Sequence, residues 1–102
     1  MNDNDKLKEK TEIHAHICLE LNKLYHKKNH DYNDSFGKSY LEYGMSMPCI
    51  RLEDKLNRLK SLTVHKLSQE VEDESVCDTL MDLANYSIMT LVEMTYEGRN
   101  KE

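Results

Sequence analysis

Aromatic residues, proline and apolar residues in general are scarce in this chain of 102 residues. Tryptophan is absent, and phenylalanine and proline each occur once. The apolar residues and glycine together fill 36 positions, about 35% of the chain, whereas ordinary globular chains carry roughly 45–50%. The length suits one domain, so we expect residues 1–102 to form a single domain. Because the core is lean, either the surface is very polar or subunits share a core, and we expect a homo-oligomer.

An excess of positive charge and an even set of cysteines are also missing. The formal net charge is −5, which disfavours a general nucleic-acid binder because such proteins are usually basic. The three cysteines are odd in number and far apart in the sequence. Cys49 and Cys77 fall on apolar helical faces, so we expect buried, reduced thiols in a cytoplasmic chain rather than a disulfide scaffold.

Long apolar runs are absent as well. The N-terminus has no apolar segment, so we expect no signal peptide, and no stretch of 18 apolar residues predicts a membrane span. Strict alternation of apolar and polar residues, which is typical of strands, does not extend over a useful length. These absences leave helices as the main expected secondary structure.

Leucine and methionine supply most of the packing material, with 13 and 6 residues, and both favour helices over strands. The spacing predicts an all-α chain that forms an antiparallel four-helix bundle. Residues 1–5 are expected to be frayed, and residues 63–72 form a possible mobile connection. The four helices are predicted at about residues 5–29, 35–43, 48–62 and 73–96, with Gly44 and Gly98 as C-terminal stops.

Apolar residues at helical spacing predict one buried face on each of the three longer helices. On the first helix this face consists of Ile13, Ile17, Leu21 and Leu24. On the third it consists of Cys49, Leu52, Leu56 and Leu59. On the last helix it consists of Val76, Leu80, Leu83, Ala84, Ser87 and Leu91.

The opposite side of the last helix carries a stripe of acceptor oxygens. Glu74, Asp78 and Asp82 follow one another at intervals of four residues, and Asn85 continues the stripe. Like charges at this spacing repel each other and weaken a helix. The third helix has a polar side of its own, formed by Glu53, Asp54, Asn57 and Arg58.

If these two helices are antiparallel neighbours, their polar stripes face one shared pocket. Carboxylates from two helices of a bundle are a known way to hold Mg²⁺, which prefers oxygen ligands and keeps room for waters and phosphates. The alternative is a solvated acidic face that pairs with basic side chains of the third helix, namely Lys55, Arg58 and Lys60.

Two further groups of residues offer other chemistry. His26 and His30 are four residues apart, close to Asp31 and Asp34, and have the residue types of a zinc site, although no HExxH or CxxC motif is present. The segment NHDYNDSFGKSYLEYG is rich in aromatic residues. Its Tyr32 and Phe36 are candidates for contact with a base, and its Lys38 for contact with a phosphate. The alternative is that these rings complete the lean core.

The segments KNHDYNDSFGKSYLEYG, IRLEDKLNRLKSL and EDESVCDTLMDLANYSIM occur in this order. Together they resemble the nucleotide modification associated domain 1 family, whose small members occur in bacteriophages and bacteria. The resemblance covers about residues 23–92, and DTLMDLANY is its most specific part. It implies a role in nucleotide metabolism or phage DNA modification. It also implies a location in the cytoplasm, which for a phage protein is the cytoplasm of the host.

The chain is more distantly similar to MazG-like all-α nucleoside triphosphate pyrophosphohydrolases, which use EExxE on one helix and ExxD on another to bind Mg²⁺. EDKLN, residues 53–57, corresponds to EExxE, with Asn57 in the last acidic place. Asp82 corresponds to the Asp of ExxD, and Thr79 to its Glu, for which Asp78 is a substitute.

The resemblance implies Mg²⁺-dependent hydrolysis of a nucleoside triphosphate to the monophosphate and pyrophosphate. The expected general bases are Glu53 and Asp54, and the expected metal ligands are Asp54, Asn57, Asp78 and Asp82. The residues expected to bind the nucleotide are Tyr32, Phe36, Lys38, Lys55, Arg58 and Asn85. Asn57 and Thr79 replace acidic residues of the motif, which favours a second hypothesis: a protein that binds or sequesters a nucleotide without turnover. A third is an interaction protein with a solvated acidic face.

Overall fold

The chain is all-α, as predicted. The computed structural model describes residues 2–64 and 73–100, apart from the side chains of residues 73 and 74. Within these residues there is no strand, and the four helices are α1 (Asp3–Asp31), α2 (Ser35–Tyr43), α3 (Ser46–Leu62) and α4 (Asp73–Arg99). No helix in this part of the chain has an apolar stretch long enough to cross a membrane. Most of the predicted mobile connection, residues 65–72, lies outside the described residues.

The N-terminus of α1 is capped, and the expectation that residues 1–5 are frayed stays a prediction. The Asn2 side-chain oxygen accepts a hydrogen bond from the Asp5 backbone N–H at 2.8 Å. This bond satisfies one of the N–H groups that a helix N-terminus leaves free. Asp3 and Asp5 also place negative charge in the first turn, where the helix dipole favours it.

Glycine and proline act as helix boundaries only in part. The predicted bounds of α2 are confirmed, and Gly44 ends the helix at φ 65° and ψ −153°, a conformation that is open almost only to glycine. Pro48 lies inside the first turn of α3 and not at its first residue, because α3 begins at Ser46. Gly98 lies within α4, which continues to Arg99, so the prediction that Gly98 ends the last helix is wrong.

The backbone divides into two compact units, Met1–Asn33 and Asp34–Glu102, and the expectation of a single domain stays a prediction. The first unit contains α1, whose predicted apolar face is covered only in part. Leu21 is buried and Leu24 is half-buried, whereas Ile13 and Ile17 are 53% and 42% exposed. Helical spacing identifies which face of a helix is apolar, but it does not show whether that face is covered.

In the second unit, α3 packs along α4, and the shorter α2 contacts both. The covered stripe of α3 has a strict three- and four-residue spacing and consists of Pro48, Leu52, Lys55, Leu59 and Leu62. Lys55 takes the place expected for Leu56, whose side chain is 44% exposed. Lys55 contacts Asp82, seven residues before the end of α3 and nine after the start of α4. Residues so nearly equidistant from the connection meet in an antiparallel hairpin.

The covered face of α4 is rotated away from the predicted apolar face, of which only Val76 and Leu83 are half-buried. Thr79 and Thr90 are buried at 2% and 8% exposure, whereas Leu80 and Leu91 are 48% and 61% exposed. The prediction of a buried face centred on Leu80 is therefore wrong, by about 100° of rotation. Burial of the threonines is tolerated because each hydroxyl donates at 2.7 Å to the carbonyl four residues earlier.

The cysteines follow the same pattern, since Cys18, Cys49 and Cys77 are all exposed. The prediction of buried thiols is wrong for Cys49 and Cys77. Cys49 lies beside the covered stripe of α3, and Cys77 lies on the exposed apolar side of α4.

Candidate functional site

An ion pair joins the middle of α3 to α4. The Lys55 Nζ atom lies 2.8 Å from Oδ2 of Asp82, which is the distance of a charge-assisted hydrogen bond. The two side chains are 29% and 35% exposed, so the pair is partly removed from water and still open to a ligand. A lysine fits such a position because its aliphatic stem lies along apolar neighbours while its ammonium reaches the edge of the contact.

An aromatic pair lies next to this ion pair. The rings of Phe36 on α2 and Tyr86 on α4 are stacked, with centroids 6.0 Å apart and planes inclined by 24°. Both residues are half-buried. Tyr86 follows Asp82 by four residues on α4, so the two lie one helical turn apart on the same side of the helix. We call Phe36, Lys55, Asp82 and Tyr86 the α2–α3–α4 site.

The other residues predicted on α3 and α4 differ in their burial. Asn85 is half-buried, and the exposed ones are Glu53, Asp54, Asn57, Arg58 and Asp78. Thr79 is buried, and its hydroxyl donates to the backbone of Ser75, which directs it into the helix and away from a ligand. The alternative in which Lys55 pairs with the acidic stripe is confirmed for Asp82.

The predicted metal ligands do not form a ready-made cluster. Among the described residues, no three His, Cys, Asp or Glu side chains lie together in a way that could hold a metal ion. The side chain of Glu74, the first member of the acidic stripe, lies outside the described part. The assignment of Mg²⁺ to Asp54, Asn57, Asp78 and Asp82 stays a prediction.

The predicted nucleotide contacts of the aromatic segment fall in different units. Phe36 belongs to the α2–α3–α4 site, and Lys38 is exposed on α2. Tyr32 follows the last residue of α1 in the first unit, and its side chain is 65% exposed. The predicted contacts of Tyr32 and Lys38 with a nucleotide stay predictions.

The turn before α2 places carboxylates close to the start of that helix. Asn33 and Asp34 both have positive φ, 52° and 56°, which their short polar side chains tolerate better than most. A Cβ atom at Gly37 would lie only 2.6 Å from a carboxylate oxygen of Asp34. Gly37 therefore leaves the space in which the Asp34 carboxylate lies over the first turn of α2.

The Asp34 carboxylate affects the pKa of Glu93 on α4. Burial raises the pKa of Glu93 above its ordinary value of 4.5, and the negative charges of Asp34 and Glu97 raise that pKa further. The folded chain thus holds the Glu93 proton more tightly than the unfolded chain does. The contribution of this group to stability is present in full below pH 4.5 and is lost as the pH rises through the raised folded pKa.

We expect Glu93→Gln to raise the melting temperature at about pH 7 and to leave it unchanged at about pH 3.5, where Glu93 is already protonated. The measurement is thermal unfolding of the variant and the wild type at both pH values. Glu42→Gln is the matched control, because Glu42 is exposed on α2. An equal shift at both pH values would contradict the role of the ionised carboxylate.

Tyr86 was not among the predicted site residues, although its spacing from Asp82 was visible. An aromatic residue four positions after a candidate ligand must share its helix side. What the spacing does not contain is the partner of each side chain. Phe36 and Lys55 come from other helices, and their contacts depend on how α4 is rotated.

Comparison with family models gives a match to nucleotide modification associated domain 1 over residues 28–94. The matched segment contains the whole α2–α3–α4 site and covers about two thirds of the chain. Comparisons with curated proteins and with solved structures give no match. The similarity to MazG-like pyrophosphohydrolases therefore stays a prediction. The chain belongs to the nucleotide modification associated domain 1 family.

Proposed function

We propose that this protein binds a nucleotide at the α2–α3–α4 site. The observation that carries the proposal is the position of a half-buried aromatic pair one helical turn from a half-buried ion pair. A nucleotide has the matching parts, a flat base at one end and phosphates at the other. The description of the family, which associates the domain with nucleotide modification, supports the same conclusion.

The aromatic pair suits a base because its rings retain exposed surface. Stacking of a base on an aromatic side chain contributes roughly 1–3 kcal/mol and depends little on which base is bound. A 6.0 Å separation lies within the ordinary range of a packed aromatic pair. The base therefore stacks on the outer surface of the pair and does not enter between the rings.

The ion pair suits a phosphate because an ammonium has three N–H donors. One donor of Lys55 points to Asp82, and 29% of the side chain is exposed, so further donors can reach a phosphate oxygen. Asp82 keeps the ammonium at the edge of the α3–α4 contact. It also places a negative charge near the phosphates, and a phosphate-bound cation would offset that charge.

Mg²⁺ is the cation that this arrangement favours. Sites for Mg²⁺-nucleotide complexes use one or two carboxylates together with the phosphates, so a preformed cluster of three ligands is not required. Asp82 and the exposed Asp78 would provide the carboxylates, and Asp54 and Asn57 are the candidates from α3. When bound, Mg²⁺ would neutralise the phosphates and polarise them toward attack by water.

Hydrolysis of a nucleoside triphosphate is a second candidate function, favoured by the exposed carboxylate of Asp54, about 100° around α3 from Lys55. Glu53, the other expected base, is exposed as well but lies about 200° around the helix from Lys55, so Asp54 is the better placed of the two. A carboxylate in this place can accept a proton from a water molecule that attacks a phosphate. The products would be the nucleoside monophosphate and pyrophosphate, as the MazG-like resemblance implies.

One experiment distinguishes the two functions. The protein is titrated with a panel of ribonucleotides and deoxyribonucleotides with and without Mg²⁺, and binding heat and pyrophosphate release are followed. Saturable binding without release supports a binding protein, whereas release that Asp82→Ala abolishes supports the hydrolase. The matched control is Glu42→Ala, an exposed carboxylate of α2. Absence of both binding and release would contradict the proposal.

A further inference from the structure

The exposed side of α4 carries a regular seam that α2 and α3, the other helices of its unit, leave uncovered. Its positions are separated by four and three residues in strict alternation, which is the heptad spacing of a helix that packs along another helix. All six residues of the seam are exposed, including one glycine. We call these residues the outer seam: Leu80, Ala84, Ser87, Leu91, Met94 and Gly98.

The apolar surface extends to one side of the outer seam. An open depression on the C-terminal half of α4 is lined by Ile88, Leu91, Val92, Thr95, Tyr96 and Arg99. Leu80, Leu91 and Met94 in the seam are 48%, 61% and 47% exposed. The covered side of α4 is mixed: it holds Val76, Leu83 and Met89 together with the buried Thr79 and Thr90. A helix of a monomer normally keeps large apolar residues on its covered side, so the exposure of this second apolar surface needs an explanation.

The sizes of the residues indicate what covers the seam. Three residues of the seam are large, namely Leu80, Leu91 and Met94, and the other three are small. When a second α4 is laid antiparallel over the first, one register opposes every large residue to a small one. In that register Leu80 faces Gly98, Ala84 faces Met94, and Ser87 faces Leu91, and the symmetry of the pair repeats each contact.

We infer that the outer seam binds the outer seam of a second copy of this chain, in this antiparallel register. Each layer then holds one large and one small residue, so the layers have similar volumes and fill the interface evenly. Each layer also joins an a position to a d position, as antiparallel helical pairs require. A parallel pair would oppose each residue to itself, with Leu80 on Leu80 and Gly98 on Gly98, which leaves three layers crowded and three underfilled.

The inferred dimer leaves the α2–α3–α4 site open. Asp82 and Tyr86 lie about 200° and 240° around α4 from Leu80, on the side that faces α3 and α2. The seam lies within about 40° of Leu80. The inference depends on the outer seam alone and does not require that the protein bind a nucleotide.

The first test measures the oligomeric state by sedimentation and light scattering. The wild type is expected to be a dimer, and Leu91→Lys is expected to weaken its association at least tenfold, because it places charge in the seam. Leu41→Lys is the matched control: Leu41 is 70% exposed on α2, away from the seam. Circular dichroism shows that the variants stay folded. A monomeric wild type, or equal effects of both variants, would overturn the inference.

The second test measures orientation with a native cysteine. Cys77 occupies the next seam position before Leu80 and is exposed. In a parallel pair it faces its own copy, whereas in the inferred register the two sulfurs are roughly 36 Å apart along the helices. Oxidation with diamide in a Cys18→Ser, Cys49→Ser background is expected to give no Cys77 disulfide within the dimer. Rapid cross-linking of the dimer would overturn the antiparallel arrangement.

The third test fixes the register. In a cysteine-free background, Ser87→Cys and Leu91→Cys chains are prepared separately and then mixed. The inferred register opposes position 87 of one copy to position 91 of the other, so the mixture is expected to cross-link faster than either variant alone. Cross-linking at equal rates in all three samples would overturn this register.

Discussion

Lys55→Met is expected to weaken nucleotide binding by about 10- to 100-fold, because a hydrogen bond to a charged group contributes roughly 1.5–3 kcal/mol. Methionine keeps an unbranched stem of similar length, so the covered stripe of α3 stays filled. The variant removes the ammonium that lies 2.8 Å from Asp82. Calorimetric titration with a nucleoside triphosphate measures the loss.

The effect on stability has to be separated from the effect on binding. Lys55→Met leaves Asp82 without its partner, and an ion pair that is only partly exposed is worth about 1 kcal/mol. The double variant Lys55→Asp, Asp82→Lys reverses the pair and can restore the attraction between the helices. It does not restore the ammonium on α3 that the proposed phosphate contact requires.

We therefore expect the charge-reversed variant to recover part of the melting temperature lost in each single variant and to remain weak in nucleotide binding. The matched control is Lys10→Met, an exposed lysine of α1 that has no predicted contact with a nucleotide. Full recovery of both stability and affinity would assign the ion pair to the fold alone. Unchanged affinity in Lys55→Met would remove the phosphate contact from the proposed function.

The positions of the helices follow from the sequence because local signals determine them. The predicted α2 agrees with the structure at both ends, since turn-forming residues precede Ser35 and Gly44 follows Tyr43. The end of α3 at Leu62 also agrees. The ends of α1 and α4 differ by two or three residues. For α4 the prediction takes Gly98 as the stop. The helix continues past it to Arg99, because an exposed glycine destabilises a long helix by only about 1 kcal/mol.

The rotation of α4 could not be predicted in the same way. The prediction assumed that the most apolar face is the one that packs against the same chain, and this assumption fails when that face packs against something else. The structure covers Thr79 and Thr90 and exposes Leu80 and Leu91. A threonine on the covered side gives no signal in a hydrophobic pattern, because its hydroxyl is satisfied within the helix.

The sequence identifies most residues of the candidate site, but it does not show which of them contact one another. Asp82, Lys55 and Phe36 were all named as candidates from the sequence, as a metal ligand, a phosphate contact and a base contact. The structure joins Lys55 to Asp82 and Phe36 to Tyr86. Because each pair crosses between helices, its formation depends on the rotation of α4, which the sequence pattern assigned to the wrong side.

Phe36→Ala is expected to weaken nucleotide binding by about 5- to 100-fold, because stacking of a base on an aromatic ring contributes roughly 1–3 kcal/mol. The loss should be specific to the base. Pyrophosphate has no base, so its affinity for the variant should stay close to that for the wild type. Titration of both ligands into both proteins measures this difference.

The same prediction applies to Tyr86, the other ring of the aromatic pair. Tyr86→Phe keeps the ring that is stacked on Phe36 and is expected to bind nucleotide like the wild type, whereas Tyr86→Ala is expected to lose affinity as Phe36→Ala does. Tyr43→Ala is the matched control, since Tyr43 is a 61% exposed aromatic residue at the end of α2. If Phe36→Ala lowered the affinities for nucleotide and pyrophosphate equally, the aromatic pair would act by supporting the helices and not by contact with a base.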